Sequence, residues 1–371
     1  MRIPSRLALS ILLVVLAPTP VRPMVTVPDG PRAPRADLKE TFHGLEVADS
    51  YRPLEDLGSE ATRAWVASQD RSTRARLDAR PAFRELSDRL DRLTRVAAVT
   101  PPATAGARLF YLATPPEGNR PSLWMKEGDG AQPKRLLDGE AIAGSARIVG
   151  IWPSPDGARV AYGLREPASN WAVVRFLDIP GGRLLADELR GLHAAAYTVS
   201  WSRAGDRVYY GRFEEPAPGS EQSTQRRDER LIEHVLDTPV SRDRTLFAQP
   251  EQPSATFSPR VSDDGRLLVL AVSPQAGTQS ELRVMNLSDF GAGFRVLGDA
   301  RDSTTVYLTS RGTELLLHTT RGAERGRIVS VELSAPEAER VVVPEGEDAL
   351  YFANVVAGRI VAVYLHDAIH R

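Results

Sequence analysis

The sequence predicts an all-β fold, a β-propeller, preceded by a short α-helical segment. A turn with glycine at its tip, followed by an alternating apolar run, is typical of a hairpin entering a strand. Six such turns occur, at Gly106, Gly157, Gly205, Gly265, Gly312 and Gly358. Successive glycines are 51, 48, 60, 47 and 46 residues apart. A period of about 40–50 residues with a strand and a turn in each unit indicates propeller blades, so the spacing predicts six blades begun.

The composition limits the classes of protein that fit the chain. Of its 371 residues, 42% are hydrophobic, which is enough for a sizeable core, and the formal net charge is −1. A nearly neutral chain gives no reason to expect nucleic acid or an anionic membrane surface as a partner. Cysteine is absent, so disulfides, thiolate metal sites and a cysteine nucleophile are excluded.

The first 23 residues have the pattern of a signal peptide. Arg2 and Arg6 form a basic start before an apolar run of eleven residues, 7–17. A membrane-spanning helix needs about 20 apolar residues, so the pattern favours export, to the periplasm or the medium, without a stable membrane span. The alternatives are an uncleaved anchor and a mis-assigned start codon. Residues 24–36 are rich in proline and charge and are predicted to be a linker.

Residues 37–95 are predicted to form an N-terminal, mainly helical segment. Between residues 60 and 93, apolar side chains fall at mainly helical spacings, and Pro81 divides the run into two helices. The members of this stripe are Trp65, Val66, Leu77, Phe83, Leu86, Leu90 and Leu93. An apolar stripe of this kind needs a surface to pack on.

Residues 100–371 are predicted to form an incomplete propeller of five to six blades. The blades are placed at residues 103–137, 148–187, from 197, 255–297, 303–343 and from 349 onward. The polar residues 214–230 explain the interval of 60 residues in the third blade and are predicted to be a solvent loop. In the second blade, Val160, Tyr162 and Leu164 are predicted to face the neighbouring blade, and residues 171–178 to be the outer strand.

The sequence offers no catalytic, metal or cofactor site of its own. A Gly-x-Ser-x-Gly nucleophile turn is absent, and Ser154, Ser202 and Ser262 stand in hairpin turns where their hydroxyls are expected to bond local backbone. His43 is expected to be a hydrogen-bonded structural residue. His366 and His370 have the i,i+4 spacing of metal ligands, but they follow a strand-like segment. Residues 291–293 lack the third glycine of a dinucleotide site.

Several motifs resemble one known family in both residues and order. They are His43-Gly44, Val47, Asp49, Tyr51 and Leu54-Glu55-Asp56; Glu60, Thr62, Trp65-Val66, Gln69 and Thr73; Gly163-Leu164 with Ser169-Asn170-Trp171; His234-Val235-Leu236 with Thr238 and Asp243; and Tyr364-Leu365-His366-Asp367. Together they resemble the opening segment and propeller of the prolyl oligopeptidases, which are serine peptidases. Pro53, Ser50 and Asp237 depart from that pattern, where the family has tryptophan, proline and glycine.

The resemblance implies a seven-bladed propeller that caps an α/β-hydrolase domain and controls access of short peptides, which are cut after proline. The opening segment packs on the hydrolase domain in that family. By position, Asn170 and Tyr197 would lie on the substrate-binding side. The hydrolase domain is missing from this sequence, so the chain resembles a C-terminally truncated peptidase that should be inactive alone. The alternative is a non-catalytic propeller that binds peptide or protein.

Overall fold

The computed structural model describes residues 30–167, 169–194, 198–217, 219–221, 224–274, 281–298 and 303–370. The predicted signal peptide, residues 24–29 of the predicted linker and the predicted site residue Tyr197 therefore lie outside the described residues. The chain divides into two compact units, residues 1–86 and 87–371. No helix in the described ranges is both long enough and apolar enough to cross a membrane.

The first unit opens with a hairpin and continues into helices. Strands β1 (Lys39–Phe42) and β2 (Leu45–Ala48) pair antiparallel. A 3-10 turn (Arg52–Glu55) leads to helix α1 (Glu60–Asp78), and helix α2 (Pro81–Thr94) crosses the division between the units. Ser59 caps α1 by accepting a hydrogen bond from the Thr62 amide at 3.2 Å, as expected for a serine N-cap.

The β1–β2 turn explains the His43-Gly44 motif. His43 and Gly44 have φ angles of 51° and 83°, and a two-residue hairpin turn with positive φ at both positions suits glycine and tolerates few other residues. The His43 side chain is exposed at the tip of this turn. The expectation of a hydrogen-bonded structural histidine is therefore replaced by a role in the turn itself.

The second unit consists of six antiparallel sheets in the part of the chain that the structure describes, and it confirms the predicted propeller. Blade 1 contains β3 (Ala98–Val99), β4 (Ala103–Ala105), β5 (Arg108–Thr114), β6 (Ser122–Glu127) and β7 (Lys134–Leu137). Blade 2 contains β8 (Arg147–Pro153), β9 (Arg159–Arg165), β10 (Trp171–Asp178) and β11 (Arg183–His193). Blade 3 contains β12 (Val199–Trp201), β13 (Arg207–Arg212), β14 (Arg230–Val235) and β15 (Arg244–Ala248).

The remaining three blades follow the same order. Blade 4 contains β16 (Thr256–Val261), β17 (Leu267–Ser273), β18 (Glu281–Asn286) and β19 (Arg295–Gly298). Blade 5 contains β20 (Thr305–Arg311), β21 (Glu314–Thr319), β22 (Arg327–Glu332) and β23 (Ala335–Val343). Blade 6 contains β24 (Ala349–Val356), β25 (Arg359–His366) and β26 (Ile369–His370). Within blades 2 to 5, each strand pairs with the next along the chain. Residues 171–178 are thus the third strand of blade 2, and β11 is the outer one, which corrects the prediction.

The hydrophobic core lies between the blades. Alternating residues of one strand face opposite neighbours: on β13, Val208 and Tyr210 join the cluster shared with blade 2, whereas Tyr209 joins the cluster shared with blade 4. Five such clusters connect the six blades in sequence. Val160 and Tyr162 are buried in the cluster between blades 1 and 2, and Leu164 packs against it, as the alternation predicted.

The six glycine turns are present, with φ angles between 58° and 77°. At two of them the backbones of neighbouring blades meet. A Cβ at Gly157 would lie 2.6 Å from the Ala105 carbonyl oxygen, and one at Gly106 would lie 2.9 Å from the Asp156 carbonyl oxygen. Only glycine combines the positive φ with this close approach, so the turn of blade 1 fits directly against the turn of blade 2.

Candidate functional site at one end of blades 2 and 3

The candidate site lies at the end of blades 2 and 3 that carries the loops between the second and third strands of these two blades. In blade 2 this loop contains Asn170, and in blade 3 it is the long insertion, residues 213–229, between β13 and β14. Contacts between the two loops show that they lie side by side: the Trp171 and Phe213 rings are 6.1 Å apart, centre to centre.

The structure places Asn170 at this end and in an accessible position. Asn170 is exposed, and its backbone carbonyl accepts a hydrogen bond from the Ala194 amide at 2.7 Å. This bond ties the β9–β10 loop to the chain segment that leaves β11. Tyr197, the other predicted residue, lies three positions further along that segment but outside the described residues, so its placement stays a prediction.

Three aromatic rings behind Asn170 form a cluster that the sequence did not reveal. Trp171 packs edge-on against His193 at 5.2 Å and against Phe213 at 6.1 Å, and Phe213 lies 6.4 Å from His193. Trp171 and Phe213 are buried. Burial lowers the pKa of His193, and the charge of Arg226 lowers it further, so this ring is neutral at pH 7.

The insertion is more than the solvent loop that the sequence predicted. The Phe213 amide donates to the Gly191 carbonyl at 2.9 Å, and the Trp171 indole N–H donates to the Glu221 carbonyl at 3.1 Å. On its other side the Asp228 amide donates to the Pro253 carbonyl at 2.8 Å. The insertion thus connects blade 2 with the start of blade 4. Together with residues 248–250 it lines a cavity of about 1220 Å³.

Below this end, a buried charge network joins blades 2 and 3. His234 Nδ1 lies 2.7 Å from Asp243 Oδ1, and its Nε2 lies 3.1 Å from Asp187 Oδ1. All three side chains are at least 98% buried. Asp243 also accepts hydrogen bonds from the Tyr210 hydroxyl at 3.1 Å and from Arg212 at 3.3 Å. The His234 and Asp243 positions of the sequence motif are therefore the two halves of one ion pair.

This network favours the charged form of His234. Burial by itself lowers the pKa of the imidazole, but the hydrogen bonds and negative charges of Asp243 and Asp187 outweigh it, so the net pKa is raised. Because both ring nitrogens face carboxylates, both carry protons when the ring donates to each. Neither nitrogen is left to take a proton from a serine hydroxyl, so this histidine is structural.

The three turn serines are also structural, as predicted. Each hydroxyl bonds the aspartate of its own turn: Ser154 with Asp156 at 2.6 Å, Ser202 with Asp206 at 2.7 Å, and Ser262 with Asp264 at 2.6 Å. Each also accepts a backbone amide that follows the turn, from Arg159, Arg207 and Leu267 respectively. The hydrogen bonds of these hydroxyls stabilise the hairpin turns.

His366 and His370 do not form a helical metal-binding pair. They lie on β25 and β26, which are joined by a tight turn, with His366 opposite Ile369. His366 Nδ1 lies 2.7 Å from Asp348 Oδ1, and the His370 ring lies over Tyr351 at 4.6 Å. Within the described ranges, no group of three or more histidine, aspartate or glutamate side chains could hold a metal ion.

The six consecutive antiparallel sheets of the described residues define a β-propeller, and comparison with known proteins shows to which family it belongs. Residues 31–371 match the family described as prolyl oligopeptidase, N-terminal beta-propeller domain. The chain therefore belongs to the prolyl oligopeptidase family, and its described part is the propeller with the segment that precedes it.

Curated relatives match over most of this chain. Prolyl endopeptidase of Elizabethkingia meningoseptica is 25% identical over 344 residues, which is 91% of this chain and 48% of the relative. Prolyl endopeptidase of Dictyostelium discoideum is 22% identical over 379 residues, or 86% of this chain and 49% of the relative. The chain thus spans about half the length of the curated relatives that it matches.

Solved structures share the fold. One, from a study of two prolyl endopeptidases and the role of inter-domain dynamics in catalysis and specificity, has a TM-score of 0.82 and 24% identity, and the similarity covers 92% of this chain and 50% of that chain. Prolyl oligopeptidase B from Galerina marginata, bound to a 35mer hydrolysis and macrocyclization substrate, has a TM-score of 0.76, 19% identity and coverage of 91% and 51%.

Proposed function

We propose that this chain is the access-controlling part of a serine endopeptidase that hydrolyses short peptides after proline. The observation that carries the proposal is the family match over residues 31–371 together with relatives twice as long that are prolyl endopeptidases. The turn serines and His234 are engaged in structural hydrogen bonds. Cleavage would then depend on groups other than these side chains.

The proposed partners follow from the same reasoning. An α/β-hydrolase domain would supply the nucleophile, base and oxyanion hole, and short proline-containing peptides would be the substrates. Asn170 would face these peptides, since it is exposed at the loop-bearing end, and Tyr197 would join it by position in the family motif.

A chimaeric enzyme tests the function. This chain is fused to the hydrolase half of the Elizabethkingia meningoseptica prolyl endopeptidase, and hydrolysis is measured on a Gly-Pro reporter amide, a proline-containing octapeptide and an unfolded protein. The chimaera should cleave the two short substrates and spare the protein, and this chain alone should cleave none of them and should not react with a serine-directed phosphonate.

The Asn170→Ala chimaera should raise KM for the octapeptide several-fold with little change in kcat. Asn119→Ala is the matched control, because Asn119 occupies the corresponding loop of blade 1. A correctly assembled chimaera that cleaves the unfolded protein as fast as the octapeptide would refute access control. Specific binding of the octapeptide by this chain alone, without support for hydrolysis in the chimaera, would instead favour a binding module.

We also propose that the protein is exported, to the periplasm or the medium. The basic start and the short apolar run of residues 7–17 support this. When the chain is expressed in a secreting bacterial host, N-terminal sequencing should find a mature protein that begins close to residue 24. Recovery of the intact N-terminus from the cytoplasm would contradict export.

A further inference from the structure

The insertion between β13 and β14 is attached to its neighbours differently at its two ends. At the first end, Phe213 is held in blade 2 by apolar packing and by its amide bond to Gly191. At the second end, two consecutive polar residues, Asp228 and Glu229, reach the segment that opens blade 4. At the first end, the insertion contributes no ionisable side chain to the attachment. At the second end, the attachment includes the carboxyl group of Glu229.

Glu229 is buried at that second end. The residue is 3% exposed, and its Oε2 accepts a hydrogen bond from the Phe257 amide of β16 at 2.6 Å. Its Oε1 is buried and has no hydrogen-bond partner among the described residues. A Cβ at Gly211 would overlap this carboxyl group, so the glycine of β13 makes the room that Glu229 occupies.

The surroundings do little to stabilise a negative charge at this position. The residues that Glu229 reaches in blade 4, 253–258, include no ionisable side chain. The charged residues on the wall of the adjoining cavity are Arg212, Glu214, Glu215, Arg227, Asp228 and Arg230, so both signs are present. Burial raises the pKa of Glu229 to about 8, and the Phe257 amide and the charge of Arg226 only partly oppose it.

We infer that Glu229 is a proton-operated latch that holds the second end of the insertion against the first strand of blade 4. When protonated, the side chain is neutral and fits the buried position with its bond to Phe257. When ionised, it leaves a charged oxygen unpartnered in the interior, which is costly, and the favourable response is for residues 228–229 to move into water. The insertion then stays attached to blade 2 through Phe213 and Trp171 and is released from blade 4.

The direction of the pH dependence follows from proton linkage. The latched state binds a proton that the released state gives up, because a solvated glutamate has its ordinary pKa near 4.5. The latch therefore weakens as pH rises from about 4.5 to about 8, by about ten-fold per pH unit, and changes little above that range. This inference concerns the insertion alone and does not depend on the proposed peptidase function.

Hydrogen exchange measured by mass spectrometry on the whole chain tests the latch. Wild type and Glu229→Gln are compared at the same pH, from pH 6 to pH 9, so that the intrinsic pH dependence of exchange cancels. Glutamine stays neutral and can still accept from Phe257. Protection of residues 224–229 in wild type, relative to Glu229→Gln, should fall at least ten-fold across this range, while peptides from blade 5 stay unchanged.

Arg226→Ala is a second test variant, and it keeps the Glu229 side chain in place. Because the Arg226 charge lowers the pKa of the buried Glu229, its removal should extend the loss of protection to higher pH, so that protection levels off at a higher pH than in wild type. This comparison with wild type stands even if Glu229→Gln does not fold. A protection ratio that stays constant from pH 6 to pH 9, or a loss of protection that levels off at the same pH in Arg226→Ala as in wild type, would overturn the latch.

Discussion

Single buried polar residues decide how blades 2 and 3 are joined. No sequence motif marks Asp187 as important. Its Oδ1 nevertheless lies 3.1 Å from His234 Nε2 and accepts a hydrogen bond from the Asp237 amide at 2.8 Å. Asp237 has a φ of 61°, a conformation in which aspartate is tolerated and glycine is preferred. This explains why a residue that departs from the family glycine can stand in the motif.

The His234 network predicts a pH dependence of stability. Since the folded pKa of His234 is raised above 6.5, its contribution is fully present below pH 6.5 and is lost as pH rises through the folded value. Ring-nitrogen NMR titration should place His234 above 6.5 and His318 below it, because burial lowers the pKa of His318. The opposite order of the two titrations would contradict the network.

Removing the imidazole should also be costly. His234→Gln leaves two buried carboxylates without their shared cation, and breaking a buried ion pair on one side costs about 3–5 kcal/mol. Urea unfolding at pH 6 measures this loss. His318→Gln is the matched control, since the pKa of His318 is set by burial alone, and an equal loss in both variants would remove the special role of His234.

Among the elements, the glycine hairpins are the part of the fold that sequence reasoning predicted best. Their turns are local, so a glycine with positive φ and the alternating run after it are visible in a few consecutive residues. The contacts of the insertion were missed for the opposite reason. Trp171 and Glu221 are 50 residues apart, and neither residue carries a pattern that specifies its partner. Gly191 could have indicated that another part of the chain packs closely there, because glycine allows the close approach of Phe213.

The hairpins of blades 2 and 5 allow a matched comparison. Gly157 and Gly312 occupy the same position of the repeat with φ angles of 68° and 62°. A Cβ at Gly312 would meet no atom within 4 Å, whereas one at Gly157 would lie 2.6 Å from the Ala105 oxygen. Gly312→Ala should cost the conformational penalty of about 1–2 kcal/mol, and Gly157→Ala should cost more.

Urea unfolding of both variants measures the difference. The excess loss in Gly157→Ala reports the steric contact between the turns of blades 1 and 2, since the conformational penalty is shared. Equal losses would mean that the two turns can separate without cost, and the direct fit between these blades would then be wrong.

For the whole molecule, the propeller and its blade order could be predicted from the repeat, and the family could be predicted from its motifs. The repeat and the motifs are both patterns of residues that are close together in the sequence. The candidate site could be predicted only in part. Asn170 is exposed, and its place on a substrate-binding side stays a prediction, whereas the aromatic cluster next to it and the latch at Glu229 arise from packing between blades. Such contacts depend on how neighbouring sheets are stacked, which the spacing of the repeat does not encode.

The assignment of alternate residues on a strand to two different clusters has a practical consequence for altering this protein. Adding a single amino acid inside β13 would send Tyr209 toward blade 2 and the flanking Val208 or Tyr210 toward blade 4, disrupting both joints at once. An epitope tag or fluorescent reporter should therefore be grafted between hairpin residues such as Gly181 and Gly182, where extra length leaves the register of every strand intact.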